Sequence, residues 1–98
     1  MELIYFYGLD GVKTMNSLLE EEFWKRLGPT IRECKGMGWD KEGFCLYIKA
    51  RDEVAEAARM KLAQSPAKEL KGEEGIKLLK AFQDEAEAAE AGIGAMFG

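Results

Sequence analysis

Apolar residues recur at strand period in three stretches of the chain and at helical spacing in three others. The clearest strand is Gly43–Ala50, Gly-Phe-Cys-Leu-Tyr-Ile-Lys-Ala, a short run rich in aromatic and branched residues between a turn and a helix start. Alternation places Phe44, Leu46 and Ile48 on one face, with Cys45, Tyr47 and Lys49 on the other. Leu3–Gly8 is apolar on both faces, the pattern of a central or doubly covered strand. Thr30–Gly38 is a third, less apolar strand; Gly36 and Gly38 mark a bulge or an edge. Trp39–Gly43 reads as the turn joining it to the central strand, a hairpin that brings Cys34 and Cys45 near each other.

Helical spacing begins at Val12 and continues through Met15, Leu18, Leu19, Phe23 and Leu27, with Asp10 or Thr14 as N-cap. Gly28-Pro29 stops it. A second helix starts at Asp52, as N-cap, and presents a narrow face of Val54, Ala57, Ala58 and Leu62. Ser65-Pro66 ends it and restarts the chain as a helix cap. Ile76, Leu79, Phe82 and Ala86 mark a final amphipathic helix that weakens toward alanine and glutamate.

The order βαββαα predicts an α+β fold, a ferredoxin-like variant. Its three-stranded antiparallel or mixed sheet carries helices on one face. Residues 1–66 form the α+β domain, and residues 67–98 a helical C-terminal extension of that domain ending in an apolar tail. One sheet face, carrying Tyr47 and part of Tyr5, Phe6 and Tyr7, is then left apolar. Such a face is expected to be buried by self-association, or by the C-terminal helix folding over it.

Composition narrows the function classes. With 98 residues and 47% apolar content, the chain supports one modest core. No apolar run reaches the ~18 residues of a membrane span, and the N-terminus lacks the basic start of a secretory signal, so a cytoplasmic protein is expected. The net charge of −4, with no Lys or Arg in residues 81–98, argues against a sequence-independent grip on a phosphate backbone. Histidine is absent, Asn16, Gln64 and Gln83 are the side-chain amides, and Glu and Lys abound; the bias is thermophile-like.

No catalytic constellation is visible. Tyr7–Thr14 follows a strand and opens a helix, but four residues do not separate its first glycine from a Gly-Lys pair, so the phosphate-loop spacing fails. Carboxylates sit in helix runs, which are solvated faces, and the usual neutral-pH base is missing. Cys34 and Cys45 are too few for a structural zinc site, and no metal or other cofactor is expected. They read either as two small core thiols or as a redox pair. Tyr5, Tyr7 and Tyr47 read either as core and dimer interface or as an aromatic platform for single-stranded RNA. Trp39, an indole in a turn, is an interface candidate or a cap on the core.

The last ten residues carry a different signal. In Ala89–Gly98 a polar, alanine-rich helix end is followed by Ile93, Met96 and Phe97, a cluster suited to a groove on a partner or to a staple onto the chain's own core. This segment resembles the tail of archaeal ribosomal stalk proteins: Gly92, Gly94, Ala95, Phe97 and Gly98 match letter for letter, and Ile93 and Met96 take leucine positions. The resemblance implies that the tail docks on translation factors as a short apolar helix, anchored by Ile93, Met96 and Phe97. It covers about a tenth of the chain and stops there. Stalk proteins begin with an all-helical domain, whereas residues 1–50 here read as strands and a hairpin.

The expected role is therefore a non-catalytic interaction or assembly module, self-associating through its sheet as a homodimer and offering its tail to another protein. A small enzyme using Cys34 and Cys45, and an RNA-binding sheet, are the alternatives.

Overall fold

The computed structural model describes the backbone of residues 1–97 and the side chains of residues 1–87. The chain runs β1 (Glu2–Tyr7), a 3-10 turn (Leu9–Gly11), α1 (Val12–Leu19), α2 (Glu22–Leu27) and β2 (Thr30–Glu33). A 3-10 turn (Lys35–Met37), β3 (Phe44–Lys49), α3 (Asp52–Leu62), β4 (Lys68–Glu69) and α4 (Gly72–Phe97) follow. The fold is α+β, but the sheet has four strands rather than three, in the order β2-β3-β1-β4, all pairs antiparallel. The added strand, β4, is two polar residues long. It lies in the segment expected to be wholly helical, opposite Tyr5 and Phe6 of β1.

Strand alternation sorts the core into two layers. Leu3, Tyr5, Tyr7, Leu46 and Ile48 face Met15, Trp24, Ala55, Ala58 and Leu62, so α1, α2 and α3 cover one side of the sheet. Ile4 and Cys45 face Leu78 and Phe82 of α4, joined by Cys34 and flanked by Phe6, Met37, Trp39, Tyr47 and Leu70. Helices therefore lie on both faces, not one. The apolar second face that was expected to drive self-association is covered within a single chain.

Three local departures have physical causes. The expected helix from Val12 to Leu27 breaks at Glu20–Glu21, where Glu21 is extended (φ −62°, ψ 148°). At about 100° per residue an unbroken helix would place Trp24, nine residues beyond buried Met15, about 180° away from the core. The break rephases the chain so that both are buried, Met15 at 0% exposure and Trp24 at 1%. Among the described residues of α4 the buried positions are Gly75, Leu78 and Phe82, while Ile76, expected on the inner face, is 69% exposed. Gly75 sets that phase: a Cβ there would stand 2.6 Å from the Leu70 carbonyl oxygen. Ser65-Pro66 does not cap a helix. The Ser65 hydroxyl donates to the Leu62 carbonyl (2.7 Å) and accepts from the Ala67 amide (3.1 Å), turning the chain from α3 toward β4.

Candidate functional site

The second core gathers most of the residues that the sequence singled out. Cys45 sits in β3 opposite Arg32, and Cys34 lies just beyond the end of β2, its amide donating to the Gly43 carbonyl at 3.0 Å. Both cysteines thus reach the α4 side of the sheet. Their sulfurs are 3.3 Å apart, both are free thiols, and both are fully buried. Burial pushes both thiols above the ordinary range; for Cys34 the partner sulfur and the Lys41 ammonium work in the opposite direction.

Aromatic rings close over this pair. Tyr47 stacks on Phe82 of α4 with centroids 5.0 Å apart and planes at 12°. Its phenol is pushed up to about 12 by burial and by the Glu2 carboxylate. Trp39 meets Phe6 edge-on at 5.3 Å, and the Lys41 ammonium lies 4.4 Å from the Phe6 centroid and 5.1 Å from that of Trp39. Trp39 is a cap on the second core.

The other two tyrosines belong to the first core. The Tyr5 hydroxyl donates to Glu69 Oε1 (3.2 Å), which also accepts from Arg59 Nε (2.9 Å). Burial, then Glu69, push the Tyr5 phenol up to about 12, against the opposing pull of Arg59. Tyr7 stacks on Phe44 at 5.6 Å, and burial raises its phenol as well. Tyr5 and Tyr7 are 3% and 2% exposed, so these rings and Tyr47 do not form an open platform on the sheet.

Sequence reasoning passed over Arg59, Glu69 and Lys41, and it did not foresee Phe82 as the lid on the cysteines. Glu69 was hidden because its role depends on pairing in β4, which has no apolar signature. The side chains of Ile93, Met96 and Phe97 lie outside the described residues; α4 itself runs to Phe97.

Burial outweighs the Lys41 ammonium at Cys34, so neither thiol is activated in the closed core. Among the described residues there is no group of three His, Cys, Asp or Glu that can hold a metal ion, and no helix long and apolar enough to cross a membrane. An open cleft of about 800 Å³ lies between α2 and the start of α3, lined by Phe23, Leu27, Ala50 and Val54 with Arg26 and Arg51 at its rim. Arg26 there is held by Glu22 at 2.9 Å. The chain matches no family model, no curated protein and no solved structure.

Proposed function

We propose that this chain is a non-catalytic protein-interaction module: a self-contained α+β body that carries a helical C-terminal arm for a partner protein. The observation that carries the reading is the length of α4. The helix covers the sheet with Leu78 and Phe82, and every described side chain after that, Gln83 to Glu87, is exposed. Polar links, Gln83 to Glu2 (2.6 Å) and Glu85 to Arg32 (2.9 Å), fasten the helix where it leaves the core. The helix nonetheless continues to Phe97, fifteen residues or about 22 Å beyond Phe82. Its last part carries Ile93, Met96 and Phe97 at the i, i+3, i+4 spacing of a helix that anchors in a groove. The resemblance to stalk-protein tails supports the same role and names translation factors as the partner class to try first.

A thiol-exchange enzyme needs an accessible thiolate, and full burial with a raised pKa opposes it. An RNA-binding sheet needs exposed rings, and Tyr5 and Tyr7 are buried.

The test is a chain ending at Ala91. Its melting temperature should stay within a degree or two of the full chain, while titration against a translation elongation factor should lose the heat of binding that the full chain gives. A marked fall in melting temperature would make the tail part of this protein's own core and end the proposal.

A further inference from the structure

We infer that Cys34 and Cys45 are a modification site: they close an intrachain disulfide that staples the β2–β3 hairpin, formed before α4 seals the second core. They are the chain's two cysteines, so the choice of intrachain partner is unique. The sulfurs lie 3.3 Å apart on the α4 side of the sheet, Cys45 in β3 and Cys34 at the turn that follows β2, where its amide donates to the Gly43 carbonyl. A disulfide needs about 2.05 Å, so each sulfur has to move only ~0.6 Å, within reach of a modest χ1 rotation.

Timing follows from what covers the pair. In the finished fold both thiols are at 0% exposure beneath Phe82, Leu78 and Trp39, and a thiol-disulfide reagent cannot reach them. The hairpin that brings them together is local, residues 30–49, whereas the lid comes from α4, which begins at Gly72. Local pairings close faster than distant ones. The hairpin therefore presents the thiols to solvent until α4 docks, and afterwards α4 shields whichever state has formed.

The chemistry balances with a small-molecule disulfide as oxidant. In the open hairpin the Cys34 thiol loses its proton and attacks one sulfur of the oxidant. One thiolate leaves, and a mixed disulfide remains on Cys34. The Cys45 thiolate then attacks the Cys34 sulfur and expels the second thiolate. Two protons and two electrons leave the protein, and the oxidant becomes two thiols. The bond closes a loop of twelve residues, Cys34–Cys45. For a chain of this size, the loss of unfolded-state freedom corresponds to a melting temperature raised by about 10–20 °C.

The experiment starts from the full chain, unfolded and reduced in denaturant, then refolded in mixed oxidised and reduced glutathione. Intact mass should fall by two hydrogens, and trypsin should release Glu33–Lys35 joined to Glu42–Lys49. The oxidised chain should melt about 10–20 °C above the reduced one. Dithiothreitol should break the bond quickly in denaturant and not over hours in the native state. Cys34→Ser should abolish the difference between oxidised and reduced melting; should that variant not fold, the mass and peptide results on the unaltered chain decide. Two alkylatable thiols after oxidative refolding would overturn the inference, as would a cross-linked chain that melts no higher than the reduced one. Oxidation of the native reduced chain as fast as the unfolded one would overturn the sealing by α4.

Discussion

Replacing Phe82 with alanine tests whether α4 keeps the second core dry. Phe82 is 3% exposed, stacks on Tyr47 at 5.0 Å, and shares a cluster with Ile4, Leu78 and both cysteines. Truncating a buried phenylalanine costs about 3–5 kcal/mol, combining lost transfer energy with the cavity left behind. The offset stack contributes ~0.5–1.5 kcal/mol of that figure. A domain of this size has about 5–15 kcal/mol in total, so the loss is a large share of its stability and the variant should melt at least 12 °C lower. Urea unfolding followed by tryptophan fluorescence reads the loss, with Trp39 as a reporter in the same core and an unchanged slope marking a pure stability effect. Phe82→Leu keeps most of the volume and should lose less than about 1.5 kcal/mol. A second readout separates a lid from a distant contributor. With the lid loosened, the Cys34 and Cys45 thiols of the reduced chain should react with an aromatic disulfide under native conditions, and the Tyr47 phenol should titrate closer to its ordinary value. A loss below about 1 kcal/mol with both thiols still protected would refute the account of α4 as the cover.

Glu69→Ala should lower the melting temperature by several degrees, because it removes the shared acceptor of Tyr5 and Arg59 that ties β4 to α3; Glu69→Gln, which keeps an acceptor oxygen, should lose less. In both, the Tyr5 phenol should titrate below its present value of about 12 in an ultraviolet absorbance titration. Alkaline pH should destabilise the fold. A phenol whose pKa is raised from 10.0 to about 12 holds its proton in the folded state where the unfolded chain releases it, so its stabilisation is complete below pH 10 and is lost as pH rises to 12. For deeply buried Tyr5 the two-unit span corresponds to about 2–3 kcal/mol, and Tyr5→Phe should remove that part of the fall in urea midpoint. The raised thiols add a decline that starts near pH 9 in the reduced chain alone. Gly43→Ala should cost about 2 kcal/mol in chemical denaturation, since φ is +138° and a Cβ would stand 2.6 Å from both the Phe6 ring and the Tyr7 carbonyl; unchanged stability would mean the turn can move aside.

What the sequence made legible is what alternation and punctuation encode. The central strands, the sides taken by Phe44, Leu46 and Ile48 against Cys45 and Tyr47, and the approach of Cys34 to Cys45 all follow from a two-residue period and a hairpin turn. The Gly28-Pro29 stop is equally local, with Gly28 left-handed and its amide donating to the Trp24 carbonyl. The departures are decided by tertiary partners. Lys68-Glu69 becomes a strand because β1 offers its free edge, and the Leu70 amide donates to the Ile4 carbonyl beyond it. The helix break at Glu20–Glu21 carries no glycine or proline; burying both Met15 and Trp24 requires it. The phase of α4 turns on Gly75, where a Cβ would stand 2.6 Å from the Leu70 carbonyl oxygen.

The candidate site was hidden for a related reason. A strand apolar on both faces requires a second layer but does not say whether that layer comes from the same chain or another. Here two large side chains of α4, Leu78 and Phe82, with Leu70, Trp39 and Met37 around them, supply it. Pattern reading does not reveal so thin a cover, because the helix looks weakly amphipathic and Ile76, expected on its inner face, points to solvent. Among the described residues, α4 buries its side chains against the sheet only as far as Phe82, and Gln83 and Glu85 add polar links to Glu2 and Arg32; large apolar residues then return at Ile93, Met96 and Phe97 after an acidic stretch without a single Lys or Arg. The proposed partner-binding arm rests on that return of apolar residues, and the chain ending at Ala91 tells it apart from core packing by its melting temperature.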